Sequence, residues 1–333
     1  MNVLAMKYST KRCIFGYDNN FYCSKINTDI MMKRNVSCML LIMTLLLASC
    51  APSGDKEQKT AVQPTEPQSL VKELNTNSPD SDQYVKLSTN MGDVVIKLYR
   101  ETPGHRKNFI NLVMNGFYDG QLFYRVKKDL FIQTGDYTSK TKPDGADLGV
   151  TDVEFTVPSE IDAAKRYHKR GAVAAASFNK GDYSSGAHFY IVTGKPANEN
   201  ELKLSERKVN DELVTKKFHE IQTPYRQQIH RLNNAAKHDA KKKEELSKLI
   251  SKLMAEARAA VKGHEFTYSA KQRKEYLNTG GLPHLDAYYT VFGEVVEGMD
   301  VVENISTVDA TSKGRPRQHV KINKVTILDS YGK

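Results

Sequence analysis

The sequence contains no tryptophan, few cysteines and no long hydrophobic segment, and two of these shortages exclude whole classes of protein. Four cysteines in 333 residues are too few for a scaffold held together by disulfide bonds. Mean hydropathy is negative, which excludes a protein with many membrane-spanning helices. The remaining composition, 39% apolar, 9% aromatic and 26% charged, is typical of a globular chain. Its length is enough for about two ordinary domains, or for one domain with additions.

The N-terminal region has the pattern of a targeting signal. A basic pair, Lys33-Arg34, precedes an apolar run at 38–47 that is too short to form a stable membrane-spanning helix. The run ends in Leu47-Ala48-Ser49-Cys50, and small residues followed at once by cysteine resemble the processing site of bacterial lipoproteins. An ordinary secretory signal with a chance cysteine is the alternative.

The lipoprotein resemblance implies a three-part N-terminal region. Residues 1–49 are expected to be a signal peptide, and we interpret 1–30 as a wrongly assigned start, because two methionines stand directly before the basic pair. Cys50 is expected to carry the lipid and to anchor the protein to a membrane of the bacterial cell envelope, facing the periplasm or the exterior. Residues 50–83 are poor in apolar residues and predict a flexible tether between this anchor and a folded domain.

The net charge of +10 is unevenly distributed along the chain. Removal of residues 1–49 leaves a net charge of +6, and the segment 197–280, with 18 basic and 12 acidic residues, accounts for all of that excess. Lysines interleaved with glutamates on a helix usually form a solvated surface. A basic surface could also bind nucleic acid, but an envelope location argues against that partner, and we expect none.

Hydrophobic periodicity from Tyr84 onward predicts mainly β structure. Alternating residues at 84–88 and 93–99 predict a hairpin, and Thr102-Pro103 predicts the start of a helix. Further short strands are expected at 122–125, 130–133, 171–176, 188–192, 289–295 and 320–328. Eight strands with few helices favour a closed eight-stranded antiparallel barrel with flanking helices.

The segment 197–280 breaks this rhythm and predicts a long α-helical insertion. Its apolar residues keep helical spacing in one or two long stretches, the first of which Pro224 should interrupt, and a short helix is expected near 269–277. Because both ends belong to the same predicted domain, the insertion is expected to be removable without unfolding the barrel.

Sequence blocks on both sides of this segment resemble the cyclophilin family. The similar family patterns are F-H-R-x-x-x-x-F-x-x-Q-G-G-D, S-Q-F-F-I, L-D-x-x-x-x-V-F-G-x-V and G-M-D. Their counterparts here are Phe123-Tyr124-Arg125 with Phe131-Ile132-Gln133-Thr134-Gly135-Asp136, then Ala187-His188-Phe189-Tyr190-Ile191, then residues 285–295, and Gly298-Met299-Asp300. The order and spacing of these blocks imply a cyclophilin-like domain over 84–330.

The resemblance implies an enzyme, a peptidyl-prolyl cis–trans isomerase that accelerates X-Pro isomerisation during the folding of envelope proteins. The barrier to this rotation is about 18–20 kcal/mol, because the peptide bond has partial double-bond character. Catalysis requires no nucleophile, metal or other cofactor, since the site has only to bind the twisted amide better than either planar form. The implied partners are proline-containing polypeptides and, through the lipid on Cys50, a membrane. A monomer is expected.

The same resemblance assigns the residues of the site. Arg125 matches the catalytic arginine, which can donate a hydrogen bond to the prolyl nitrogen as the amide twists, and Gln133 matches the glutamine that orients the arginine or the substrate carbonyl. The eight-residue separation does not decide whether the two share a sheet face, because a turn is expected at 127–129. The residues matched to substrate binding are Leu130, Phe131, Ala176, Ser177, His188, Tyr190, His284, Leu285 and Tyr289. A buried aromatic on a strand is usually part of the core, and this remains the alternative for the pocket aromatics.

Several positions depart from the family pattern. His284 stands where the family commonly has tryptophan, Tyr289 where it has histidine, and His188 where it has glutamine. These changes bear on efficiency more than on reaction type, and they leave open an alternative function, a proline-peptide-binding or chaperone module with weak catalysis on a cyclophilin fold. The nine histidines show no metal-like spacing with each other or with cysteine, so no metal site is expected.

Overall fold

The computed structural model describes residues 82–177 and 182–329. The expected signal peptide, Cys50 and nearly all of the expected tether lie outside these residues. Within the described ranges, none of the helices combines the length and the apolar character needed to cross a membrane.

The described residues form ten β-strands, eight of which belong to one antiparallel sheet in the order β10-β1-β2-β9-β6-β8-β4-β3. The strands are β1 (Gln83–Thr89), β2 (Gly92–Leu98), β3 (Arg125–Lys127), β4 (Phe131–Thr134), β5 (Thr156–Pro158), β6 (Ala172–Ala175), β7 (Tyr183–Ser185), β8 (Phe189–Val192), β9 (Val291–Glu297) and β10 (Ile322–Leu328). The expected strands begin within two residues of their expected positions, except the one expected at 122–125. The two-stranded sheet of β5 and β7 was not anticipated.

The expectation of a closed barrel is wrong, because the main sheet is open between β3 and β10. These edge strands do not form a ladder with each other in the described part of the chain. Strand β3 has only three residues and starts at Arg125. The residues that precede β3 and β10 pair at a single isolated bridge, between Leu122 and Lys321. Backbone hydrogen bonds beside the bridge, such as Phe123 N to Val320 O at 2.9 Å, hold the edges near each other without continuous pairing.

The main sheet curls around an apolar core that α1 (Pro103–Met114) and α6 (Met299–Ser306) help to cover. Among the fully buried core side chains are Leu87, Ile96, Leu98, Ile132, Phe189, Ile191, Ile305 and Ile322. Thr102 is the N-cap of α1, as expected, but its side chain makes no capping bond. Glu160 accepts hydrogen bonds from the backbone N–H groups of Gly104 and His105 at 3.0 Å instead. A carboxylate near the start of a helix stabilises its dipole.

The segment 197–280 contains four helices: α2 (Glu199–Gln222), α3 (Arg226–Ala235), α4 (Ala240–Val261) and α5 (Ala270–Asn278). A short 3₁₀ helix, Thr223–Tyr225, separates α2 from α3 around Pro224, which confirms the expected interruption. Helix α5 starts beside its N-cap Ser269, where a short helix was expected. We refer to 197–280 below as the helical segment.

The helical segment has a small apolar interior. Helices α2 and α3 both contact α4, and α2 also contacts the 3₁₀ helix Pro283–Leu285 that follows the segment. Leu253 and Ala257 of α4 are fully buried, as their spacing indicates, whereas Leu213 of α2 is exposed. The contact at Pro283–Leu285 bears on the candidate site, because two of the residues expected to bind substrate, His284 and Leu285, lie in this 3₁₀ helix.

Candidate active site

The candidate catalytic pair is assembled by the hairpin of β3 and β4. Arg125 is paired directly opposite Gln133, so the two side chains share one face of the sheet. The turn that sets this register includes Asp129 in a left-handed conformation, with φ of 59°. The guanidinium carbon of Arg125 lies 5.3 Å from the centroid of the Phe131 ring, within the range of a cation–π interaction. The register thus resolves the question of the shared face that spacing alone left open.

Most of the expected substrate-binding residues lie in one apolar cluster beside this pair. Strand β8 continues the same face, with Tyr190 opposite Gln133. The Tyr190 ring centroid is 5.6 Å from that of Phe131 and 6.0 Å from that of Tyr289. The six expected residues in the cluster are Leu130, Phe131, Ala176, Tyr190, Leu285 and Tyr289.

Strand alternation separates this cluster from the main core. Phe189 and Ile191 of β8 belong to the core inside the curled sheet, whereas Tyr190 and Val192 belong to the cluster on the other face. Successive residues of a strand point to opposite faces, so one strand serves both sets. Leu130, Phe131, Leu285 and Tyr289 are only half-buried, so a ligand could reach them.

His188 lies apart from the apolar cluster. It is 1% exposed, and its Nδ1 and Nε2 lie 2.7 Å from the Tyr124 hydroxyl and the Thr151 carbonyl oxygen respectively. A carbonyl only accepts, so Nε2 donates to Thr151, and in the neutral ring Nδ1 accepts from Tyr124. Both nitrogens are engaged within the protein, and the expected role of His188 toward substrate stays a prediction.

His284 and Ser177 do not belong to this cluster, and the backbone groups of Ala176 are already paired within the protein. His284 is half-buried in the 3₁₀ helix, where burial, followed by the nearby charge of Lys208, lowers its pKa to about 4. The Ala176 N–H donates to the His188 carbonyl at 2.9 Å, and its carbonyl accepts from the Ser185 N–H at 2.7 Å. The Ser177 hydroxyl donates to the Tyr183 carbonyl oxygen at 2.9 Å.

The structure also contains a polar network that the sequence did not reveal. His168, which its isolated position marks as an ordinary surface or core histidine, is fully buried directly behind Tyr190. Its Nε2 lies 2.9 Å from the Tyr190 hydroxyl, and its Nδ1 lies 2.7 Å from Asp286 Oδ1. The signal that could have indicated this network is Asp286, which follows Leu285 in the L-D block. No group of acidic, histidine or cysteine side chains suited to a metal ion occurs in the described ranges.

The chain matches one protein-family model and is similar to several known proteins. Residues 84–210 and 215–327 match the family model described as cyclophilin type peptidyl-prolyl cis-trans isomerase/CLD. A Staphylococcus saprophyticus protein, provisionally named a peptidyl-prolyl cis-trans isomerase, is 24% identical over 260 residues, which are 77% of this chain and 98% of the relative. The spliceosome-associated protein CWC27 homolog of Danio rerio is 33% identical over 120 residues, 35% of this chain and 24% of that protein.

Among solved structures, the chain is similar to a cyclophilin type peptidyl-prolyl cis-trans isomerase from Cryptosporidium parvum. The TM-score is 0.43 and the sequence identity is 16%, and the match covers 75% of this chain and 100% of the other. The two ranges that match the family model extend into the helical segment from both sides, so its description as an insertion stays a prediction. Because the family model matches more than half of its length, the chain belongs to the cyclophilin-type peptidyl-prolyl cis–trans isomerases.

Proposed function

We propose that the protein catalyses X-Pro isomerisation in unfolded or extended polypeptides, with Arg125 as the catalytic residue and the apolar cluster as the proline pocket. The observation that carries this proposal is the shared sheet face of Arg125, Gln133, Phe131 and Tyr190. An apolar surface beside a fixed cation suits a substrate that combines a hydrocarbon ring with a polar amide.

Arg125 would act on the amide nitrogen of proline. In the planar amide, the nitrogen lone pair is delocalised into the carbonyl group and accepts hydrogen bonds poorly. As the bond twists, the lone pair localises, and a guanidinium N–H can then donate to it. This hydrogen bond is stronger in the transition state than in the ground state, so it lowers the barrier. A hydrogen bond from a charged donor contributes about 1.5–3 kcal/mol, which corresponds to a rate increase of about 10- to 160-fold.

The neighbours of Arg125 support its orientation. The Phe131 ring lies against the guanidinium group and limits the rotamers that the long side chain can adopt. Gln133, opposite Arg125 in the hairpin, carries an amide that can bond either to the guanidinium group or to a substrate carbonyl. Pre-organisation of this kind reduces the entropy lost on reaching the reactive geometry.

The test is the isomerisation rate of a proline tetrapeptide with residues 51–333 and its Arg125 variants. We expect Arg125→Ala to lower kcat/KM more than tenfold. Arg125→Lys should be similarly poor, because lysine lacks the planar fork of donors. Arg317→Ala, which removes an exposed guanidinium paired with Asp309, is the matched control and should retain activity. Equal activity of Arg125→Ala and the parent protein would refute the catalytic assignment.

The same assay separates this function from a binding module with weak catalysis. The backbone N–H and carbonyl groups of Ala176, an expected substrate-binding residue, are already bonded to His188 and Ser185, so the proposed contacts with substrate are those of the apolar side chains. A protein that binds the tetrapeptide saturably but leaves its isomerisation rate at the uncatalysed value would support the binding module.

We also propose that the protein acts in the bacterial cell envelope, attached to a membrane by a lipid on Cys50. The basic pair, the short apolar run and the residues Leu47-Ala48-Ser49-Cys50 support this location. Cys50→Ser should abolish incorporation of radioactive palmitate and leave the catalytic region unanchored or its signal uncleaved. Palmitate labelling that persists in Cys50→Ser would refute the lipid anchor.

A further inference from the structure

Asp286 is a buried carboxylate surrounded by four hydrogen-bond donors. Its Oδ1 accepts from the His168 backbone N–H at 2.8 Å and from His168 Nδ1 at 2.7 Å. Its Oδ2 accepts from the hydroxyl groups of Tyr268 and Tyr276, each at 2.7 Å. Asp286 is 1% exposed, and a buried carboxylate is tolerated only when its oxygens are well paired. Four donors match the acceptor capacity of an ionised carboxylate.

These bonds fix the direction of the hydrogen bonds to Asp286. Burial, followed by the charge of Asp286, raises the pKa values of Tyr268 and Tyr276, so both hydroxyls stay protonated and donate. A carboxylate only accepts, so His168 Nδ1 donates to it, and in the neutral ring His168 Nε2 accepts from the Tyr190 hydroxyl. With His168 neutral, the hydroxyl proton of Tyr190 points toward His168 Nε2.

The network joins the helical segment to the proposed proline pocket. Tyr276 lies in α5 and Tyr268 directly precedes it, whereas Tyr190 lies in the pocket and Asp286 adjoins the pocket residue Leu285. The Tyr268 and Tyr276 rings also pack edge to face, with centroids 5.3 Å apart, and share a buried cluster with Leu202 of α2. The hydroxyl groups of Tyr268 and Tyr276, in the helical segment, thus form one end of a hydrogen-bond chain whose other end is Tyr190 in the pocket.

We propose that His168 and Asp286 are positioning residues for the pocket aromatic Tyr190, and that Tyr268 and Tyr276 make the helical segment a structural part of the pocket. The proposal rests on the proposed function, since it takes Tyr190 and Leu285 as pocket residues. The His168 and Tyr190 rings are within 13° of parallel, which is the orientation the network maintains. Removal of 197–280 would delete both tyrosine donors and leave only the two bonds from His168 to Asp286.

The test compares Tyr268→Phe, Tyr276→Phe and the double variant in the complete catalytic region. Each change keeps the ring and removes one donor to Asp286. We expect each single variant to weaken binding of a proline tetrapeptide about threefold and the double variant about tenfold, as measured by NMR titration. KM should rise more than kcat falls, because Arg125 is untouched. The ring resonances of ¹³C-labelled Tyr190 should shift in the free protein.

Two controls distinguish positioning from general destabilisation. Tyr118→Phe removes a buried tyrosine hydrogen bond, to the Ala187 carbonyl oxygen at 3.1 Å, and Tyr225→Phe removes a hydroxyl from the 3₁₀ helix between α2 and α3. Both should retain peptide affinity, although Tyr118→Phe should lower the melting temperature.

Unchanged affinity in the double variant would overturn the proposal, as would an equal loss of affinity in Tyr118→Phe. If the double variant does not fold, unchanged affinity in both single variants would overturn it equally. If the parent protein binds the peptide without isomerising it, the proposed catalysis fails, and the affinities of the variants still decide the positioning proposal.

Discussion

The main sheet and the helical segment are stabilised in different ways. The sheet surrounds a continuous apolar core, to which nearly every strand contributes buried side chains. The helical segment buries few apolar residues, among them Leu202, Val209, Leu232, Leu253 and Ala257. Its outer surface carries exposed ion pairs such as Lys217–Glu220 and Lys248–Glu244, and exposed pairs contribute at most about 1 kcal/mol each. The sheet therefore depends on burial, and the helices depend more on local interactions.

Helix capping shows the same difference. The side chains of Asn198, Asp239 and Ser269 cap α2, α4 and α5 from the residue directly before each helix. An N-cap of this kind stabilises a helix by about 1 kcal/mol. Helix α1, in contrast, receives its carboxylate from Glu160, far along the chain. The helical segment is specified by neighbouring residues, and the sheet region by residues distant in sequence.

The largest effect is expected for a truncation in the core of the sheet. Phe189 is 2% exposed, and its ring packs against those of Phe109 and Tyr118 at 5.3 and 5.4 Å. Phe189→Ala should lower the free energy of unfolding by about 3–5 kcal/mol, because it leaves a cavity in a packed interior. Urea denaturation measures the change. A loss below about 1 kcal/mol would contradict the distinction between the two regions.

A smaller and more local effect is expected in the helical segment. Leu253 of α4 is fully buried, and Leu253→Ala should cost about 2–3 kcal/mol, at the low end for such changes, because the small interior can collapse around the gap. Hydrogen exchange should accelerate in α2 and α4 while the amides of β1 and β2 stay protected. Lys248→Ala, on the exposed face of the same helix, is the control. Equal acceleration throughout the sheet would show that the two regions unfold together.

The smallest effect at neutral pH is expected at His284, in the 3₁₀ helix that follows the helical segment and contacts α2. Burial lowers its pKa in the folded protein to about 4 from an ordinary value of 6.5, so between these values the unfolded chain binds a proton that the folded protein does not. This histidine therefore reduces stability as the pH falls from 6.5 toward 4. His284→Gln should lessen the decrease, measured by urea denaturation at pH 7 and pH 4.5. His238→Gln, at an exposed position, is the control, and an equal decrease in His284→Gln and the parent would contradict the prediction.

Local features of the fold could be predicted from the sequence. Alternation located β1 and β2, and Pro224 marked the interruption between α2 and α3. The short sheet of β5 and β7 was missed, because its strands have three residues each and β5 ends in Pro158, a residue that is unfavourable inside strands. The open sheet was also missed, since closure depends on pairing between β3 and β10, near opposite ends of the domain.

The candidate site, like the fold, could be predicted from the sequence only in part. Family resemblance indicated Arg125 and Gln133 as candidate site residues, but their pairing opposite each other depends on the turn conformation at Asp129, which residue spacing does not specify. The network behind Tyr190 joins His168 to Asp286 across more than a hundred residues, and no local pattern relates two such positions. Buried polar partners of this kind become visible only when the chain has folded.

The position of His284 also makes the protein suited to optical measurement. The chain has no tryptophan, so His284→Trp would introduce the sole indole fluorophore, half-buried in the 3₁₀ helix that carries Leu285. Indole emission depends on local polarity, and an apolar ring bound beside Leu285 would displace water from this position. Ligand occupancy could then be followed by fluorescence at micromolar protein concentrations, without labels and without interference from other tryptophans.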